Sequence, residues 1–176
     1  DDVLVLTTKT HQAGPALAAW ADAPVHSGAE VVGTAGERLP VMTALNGVAS
    51  EAIALRWFAR VLGVCVWMPA VLTAPGEVVV RSAPVHALLH TARYPAEFAT
   101  SDDAALLEQV AGTWGDAGLE VPRPADVMPW KYRKLLGNLG NAVNACFVPG
   151  PEADRLTELA RAEGARVLAD SGIAVA

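Results

Sequence analysis

The chain is short of cysteine, of aromatic side chains and of positive charge, and each shortage excludes a class of function. Two cysteines, Cys65 and Cys146, in 176 residues cannot build a disulfide scaffold, and they read as a reducing, cytoplasmic setting. Thirteen Lys and Arg against nineteen Asp and Glu leave a net charge of −6. That is the opposite of a basic footprint, so no nucleic-acid partner is expected, although a local cluster could still hold one phosphorylated ligand. Long hydrophobic runs are missing too. Val61–Val66, interrupted by Gly63, is far below the roughly 20 residues of a membrane span, and no membrane partner is expected. No basic segment followed by an apolar one opens the chain, so no signal peptide is read. GxSxG, CxxC, HExxH, P-loop and GxGxxG patterns are all absent from the sequence.

What is present is ample apolar material. Hydrophobic residues make up 52% and charged residues 18%, which supports a packed core and excludes wholesale disorder. Val3–Thr8 reads as a strand buried on both faces. Thr10–Asp22 reads as a helix with Leu17 and Trp20 inward and Pro15 tolerated near its first turn. Gly28–Gly36 reads as a glycine-rich connection, Pro40–Leu45 as a strand, and Ser50–Leu62 as a helix capped by Ser50. Val64–Met68 and Glu77–Val80 follow as strands, and Pro84–Arg93 completes a hairpin. Ser101–Gly118 is a helix stopped by glycine, and Leu119–Val121 is a last short strand. The alternation implies an α/β sheet with crossover helices. Beyond it, Trp130–Cys146 and Glu152–Ala169 are helical with no strand between them. The expected boundary lies near Pro124, with an α/β part at 1–124 and an all-helical part at 125–176. Both termini read as cuts through a larger protein.

The segment from Trp130 to Cys146 carries the clearest chemical signal. On a helical wheel with Lys134 at zero, Asn138 falls at roughly +40° and Asn141 at roughly −20°. Trp130, Lys131 and Ala145 share that face, and the remaining girth is largely apolar. A solvated face is normally filled with Glu, Lys and Arg rather than amides and glycines. A lysine beside amides suits a carbonyl or carboxylate ligand, the ammonium polarising the oxygen and the amides fixing its orientation. Gly137 and Gly140 permit close approach of a backbone or ligand. The plainer reading is a solvated face with incidental Asn.

Two further segments lie where strands end, the place where open α/β sheets bind ligands. Leu45-Asn46-Gly47-Val48 is one, readable otherwise as an ordinary turn. Thr7-Thr8-Lys9-Thr10-His11-Gln12 is the other, with Lys9 able to meet a cofactor phosphate or ribose. His86 and His90 sit in an extended segment rather than a helix, so no metal site is expected. Glu51 and Glu77 are selected by nothing in their spacing, and Trp57, Trp67 and Trp114 read as core.

In order, these motifs resemble the ketopantoate reductase (2-dehydropantoate 2-reductase) family of pantothenate biosynthesis. Lys9-Thr10-His11-Gln12 is similar to its lysine-x-x-glutamine segment, Leu45-Asn46-Gly47 to its glutamine-asparagine-glycine turn, and Arg133-Lys134-Leu135-Leu136-Gly137-Asn138 to its arginine-lysine-leucine-x-x-asparagine helix. Pro75-Gly76-Glu77-Val78 matches a family hairpin. The resemblance implies a Rossmann-type NADPH-binding domain joined to a helical domain, with the active site in the cleft between them. It would make Lys134 the catalytic general acid toward a 2-keto acid substrate. Asn46 would align lysine and nicotinamide ribose, Lys9 would line the cofactor site, and Asn138 and Asn141 would hold the substrate. The helical part can carry a homodimer contact, though no residue pattern demands one. Leu45 replaces the family glutamine, and Asn141 follows Asn138 by three residues instead of four. By the same resemblance the glycine-rich turn belongs upstream of Asp1, and a serine and a glutamate that help bind substrate belong beyond Ala176. A related dehydrogenase for another small hydroxy or amino acid, and a non-catalytic dinucleotide-binding relative, are the alternatives.

Overall fold

A computed structural model describes residues 2–176. It divides into two compact units, Asp1–Val127 and Met128–Ala176.

The first unit is built on a five-stranded sheet. Its strands are β1 (Leu4–Leu6), β4 (Val41–Thr43), β5 (Val61–Trp67), β8 (Ala87–Tyr94) and β9 (Leu119–Glu120), in that spatial order. β1, β4 and β5 run parallel; β8 runs antiparallel to β5, and β9 parallel to β8. Alternation along the strands feeds two cores. Val41 and Val61 point to the face covered by Leu17 of α1 (Thr10–Ala21), Ala54 of α3 (Ser50–Ala54) and Phe58. Met42, Leu62 and Val64 point to the other, covered by Leu106, Leu107 and Val110 of α4 (Ser101–Gly115). A parallel sheet needs helices on both faces, which is why its strands read as nearly continuous apolar runs. The arrangement is of Rossmann type. Two hairpins leave the sheet: β2 (Pro24–Ser27) with β3 (Glu30–Thr34), and β6 (Ala70–Ala74) with β7 (Glu77–Val80). The short α2 (Ala35–Arg38) follows the first.

Several expectations are corrected. The stretch read as a glycine-rich connection is mostly the β2–β3 hairpin, turned by Gly28 at φ +62°, a conformation open to glycine. The helix expected at Ser50–Leu62 stops at Ala54, because Val61 already belongs to β5. Its N-cap is Ala49; Ser50 is the first helical residue. Strand β1 is not buried on both faces, since Val5 is exposed on a strand that, among the described residues, pairs with β4 alone. Trp20, expected inward, is 56% exposed, and Trp57 and Trp67 are likewise exposed instead of core. Trp114 packs against the α4 side of the sheet as expected.

An ion cluster around the buried Asp103 secures the start of α4. Thr100 and Asp103 form a reciprocal capping box: the Asp103 amide donates to Thr100 Oγ1, and the Thr100 amide donates to Asp103 Oδ2. The same carboxylate accepts from Arg60 Nε at 2.6 Å and faces Arg93 Nε at 3.7 Å. Burial pushes the Asp103 carboxyl up, but hydrogen bonds from Arg60 and Thr100, with the Arg60 charge, outweigh burial and hold it below the usual carboxylate range.

The second unit is all helical: α5 (Met128–Asn138), α6 (Gly140–Cys146) and α7 (Pro151–Asp170). The single helix expected from Trp130 to Cys146 is therefore two, broken at Leu139, whose amide bonds the Leu136 carbonyl in a tighter three-residue turn. Gly140 gives close approach to α7, where an added Cβ would meet Thr157 Cγ2 at 2.8 Å, whereas a Cβ at Gly137 would meet nothing within 4 Å. No helix of the described residues is long and apolar enough to cross a membrane.

Candidate functional site

On the sheet unit, the Lys9 and Asn46 segments follow the carboxyl ends of neighbouring parallel strands, β1 and β4. Lys9 has extended backbone and occupies the N-cap of α1. An ammonium has no acceptor to offer the helix, so Gln12 closes the turn instead. The Lys9 amide donates to Gln12 Oε1 at 3.2 Å, and the Gln12 amide donates to the Lys9 carbonyl at 2.8 Å. This is the physical reason for a glutamine three residues after the lysine, and the Lys9 side chain stays exposed. Asn46 is also exposed, followed by Gly47 at φ +88°. Leu45, which replaces a polar residue of the resembled motif, is buried in the α1-side core.

A side-chain hydrogen bond joins the two loops. Thr10 Oγ1 donates to the Asn46 carbonyl at 3.0 Å across 36 positions of chain. Beside it in sequence, Thr8 Oγ1 is buried without a hydrogen-bond partner among the described residues. Such groups are normally paired, so Thr8 offers an unfilled place for a ligand polar atom. The sequence reading did not single it out, because a threonine at a strand end carries no spacing signal.

On the helical unit, Lys134 and Asn138 are half-buried on α5, while Asn141 lies on α6 and is exposed. All three keep the order expected of them, but the break at Leu139 separates Asn141 from the other two. The most enclosed cation of the helix is Lys131, 3% exposed, one turn before Lys134. The wheel put it on the same face without assigning it a role. Arg133 lies over the Trp130 ring at 5.7 Å from its centroid, a cation–π contact at the start of the helix. No group of His, Cys, Asp and Glu among the described residues could hold a metal ion.

No protein-family profile and no curated protein matches the chain. Solved structures do. The chain superposes on a PanE/ApbA family ketopantoate reductase from Ralstonia eutropha JMP134 with TM-score 0.73 and 18% identity, covering 99% of this chain and 54% of that one. It superposes on D-mandelate dehydrogenase in ternary complex with NADH and anilino(oxo)acetate with TM-score 0.75 and 18% identity, covering 99% and 54%. A dimeric ketopantoate reductase from Staphylococcus aureus gives TM-score 0.70 and 19% identity, covering 99% and 59%. These likenesses define the class by fold: a Rossmann-type sheet, incomplete relative to these structures, followed by helices. The particular fold is that of the ketopantoate reductases and D-mandelate dehydrogenase, and this chain spans about half the length of those structures.

Proposed function

We propose that the protein is an NADPH-dependent oxidoreductase of the ketopantoate reductase kind, reducing a small 2-keto acid to the 2-hydroxy acid. The observation that carries this is the Thr10–Asn46 bond. It gathers Lys9, Thr8 and the Asn46–Gly47 turn at the strand ends where α/β sheets receive nucleotides. These groups fit the ribose and phosphate oxygens of a dinucleotide: an exposed ammonium, a buried hydroxyl without a partner and an exposed amide. NADPH, when bound, supplies the hydride.

The chain's own residues contribute proton transfer and orientation. Lys134 holds a proton on Nζ and gives it to the keto oxygen as negative charge develops there, so the alkoxide leaves as a hydroxyl. Asn46 aligns the nicotinamide ribose, Lys9 contacts the cofactor, and Asn138 and Asn141 orient the substrate, their amide N–H groups donating to its carboxylate and hydroxyl oxygens. A cytoplasmic setting and a homodimer, as in the dimeric S. aureus neighbour, belong to the same proposal.

The test uses the full-length protein and follows loss of NADPH absorbance with ketopantoate and other 2-keto acids. Turnover is expected, and Lys134→Ala should lower kcat by about a thousandfold while the protein stays folded. Failure of the unmutated protein to oxidise NADPH or NADH with any 2-keto acid removes the proposal. A second reading is favoured by the D-mandelate dehydrogenase likeness: preference for an aryl 2-keto acid and NADH over ketopantoate and NADPH would select it.

A further inference from the structure

We propose that Glu51 is a positioning residue, a carboxyl staple that holds the Asn46–Gly47 turn in its working shape; its catalytic meaning rests on the reductase reading above. Glu51 is 0% exposed, and burying a carboxyl group is unfavourable unless its oxygens are satisfied. Here they are satisfied by residues from both ends of one loop. Thr43, the last residue of β4, donates its hydroxyl to Glu51 Oε1 at 2.8 Å. Ser50, the first residue of α3, donates to Glu51 Oε2 at 3.1 Å. The loop between them, 44–49, contains Asn46 and Gly47. One carboxyl group therefore closes the base of the loop, while Thr10 ties its far side at the Asn46 carbonyl.

The surroundings are shaped for this group. Across the sheet Thr43 pairs with Gly63, and a Cβ at that position would stand 3.1 Å from Glu51 Cγ and 2.7 Å from Val127 Cγ1. The strand leaves out a side chain where the glutamate lies. Filling the same space needs only a methionine or leucine, so packing alone does not select a carboxyl group. Its enclosure also argues against proton exchange with a substrate, and its bonds to Thr43 and Ser50 point to fixing the loop. Nothing in the local sequence marks it, because the pairing with Thr43 becomes visible only once strand and helix are in place.

The test compares Glu51→Met, Glu51→Gln and Thr43→Val in the full-length protein by amide hydrogen exchange and steady-state kinetics. In Glu51→Met, amides of the Asn46–Ala49 segment should exchange about tenfold faster while those of β1 and α4 are unchanged. KM for NADPH should rise about fivefold or more. Glu51→Gln keeps an oxygen for Thr43 and a polar contact to Ser50, and should return both readouts to within about threefold of the unmutated protein. Thr43→Val, similar in shape, should move them in the same direction by about threefold, and decides the matter should Glu51→Met not fold. Unchanged loop exchange in Thr43→Val and Glu51→Met overturns the staple, as does acceleration spread evenly over the whole unit. If no 2-keto acid is turned over by the unmutated protein, the reductase reading falls, and the exchange comparison still decides the staple.

Discussion

The centre of the sheet unit and the helical unit differ in how deeply they bury apolar residues. At the centre of the sheet unit, strands and helices bury Val41, Met42, Val61, Leu62 and Phe58 almost completely, and side chains from two faces fix β4 and β5, while the hairpins leave Leu72, Val78 and Val79 exposed. In the helical unit the buried residues are few, Lys131, Gly140, Ala153 and Leu168, while Phe147, Val148, Leu156, Leu159 and Val167 are exposed. An apolar groove of about 350 Å³ lies between α5 and α7, lined by Leu135, Leu136, Leu139, Val167 and Leu168. The difference teaches where precision comes from. The Lys9 and Asn46 backbones are held by hydrogen bonds at the edge of a packed core, whereas Lys134 and Asn138 are held by a helix with few neighbours within its own unit.

Substitutions can break that contrast, beginning with the strongest. Asp103→Ala strips the buried partner from Arg93, which is largely enclosed, and from the half-exposed Arg60, and should cost about 3 kcal/mol in urea unfolding at neutral pH. Because the folded-state carboxyl is held below its ordinary value, its contribution is present above that ordinary value and fades as pH falls through the lowered one. The unfolding midpoints of Asp103→Ala and the unmutated protein should therefore converge in acid, and a gap that persists there would disprove the assignment. Next comes the same substitution made in both units. Gly63→Ala forces a Cβ against Val127 and Glu51 inside a filled core and should destabilise by about 2 kcal/mol. Gly164→Ala meets the flexible ends of Leu139 and Leu136, and the gain in helix propensity offsets the crowding, so the change should stay within about 0.5 kcal/mol. Equal losses at the two sites would show that the helical unit is packed as tightly as the sheet.

Legibility in the sequence follows the same division. Strands β4 and β5 were readable because a two-sided sheet demands apolar runs such as Val41-Met42 and Val61–Val66. The boundary at Val61 was misread because Leu55–Leu62 also satisfies a helical period; the β-branched Val61, Val64 and Val66 were the signal to stop earlier. The β2–β3 hairpin was hidden by glycines at Gly28, Gly33 and Gly36 that suggested a loop. Large side chains misled in another way: Trp20, Trp57 and Trp67 are big enough for a core, yet burial is settled by direction along the element, not by size. The places of Lys9 and Asn46 after strands, and of Lys134 and Asn138 on one helix, were legible from strand ends and helical phase. Glu51, Thr8 and Lys131 were not, since burial and distant partners select them and spacing does not.

The bond from Thr10 to Asn46 also has a thermodynamic consequence. Two surface segments far apart in the chain are already restrained before any ligand arrives, so little conformational entropy remains to be lost when one does. Association with this edge should owe less to induced folding than to contacts made on arrival, and its heat-capacity change should be small for the area covered. Cutting the bond would leave the dinucleotide proposed for this edge to order both segments itself.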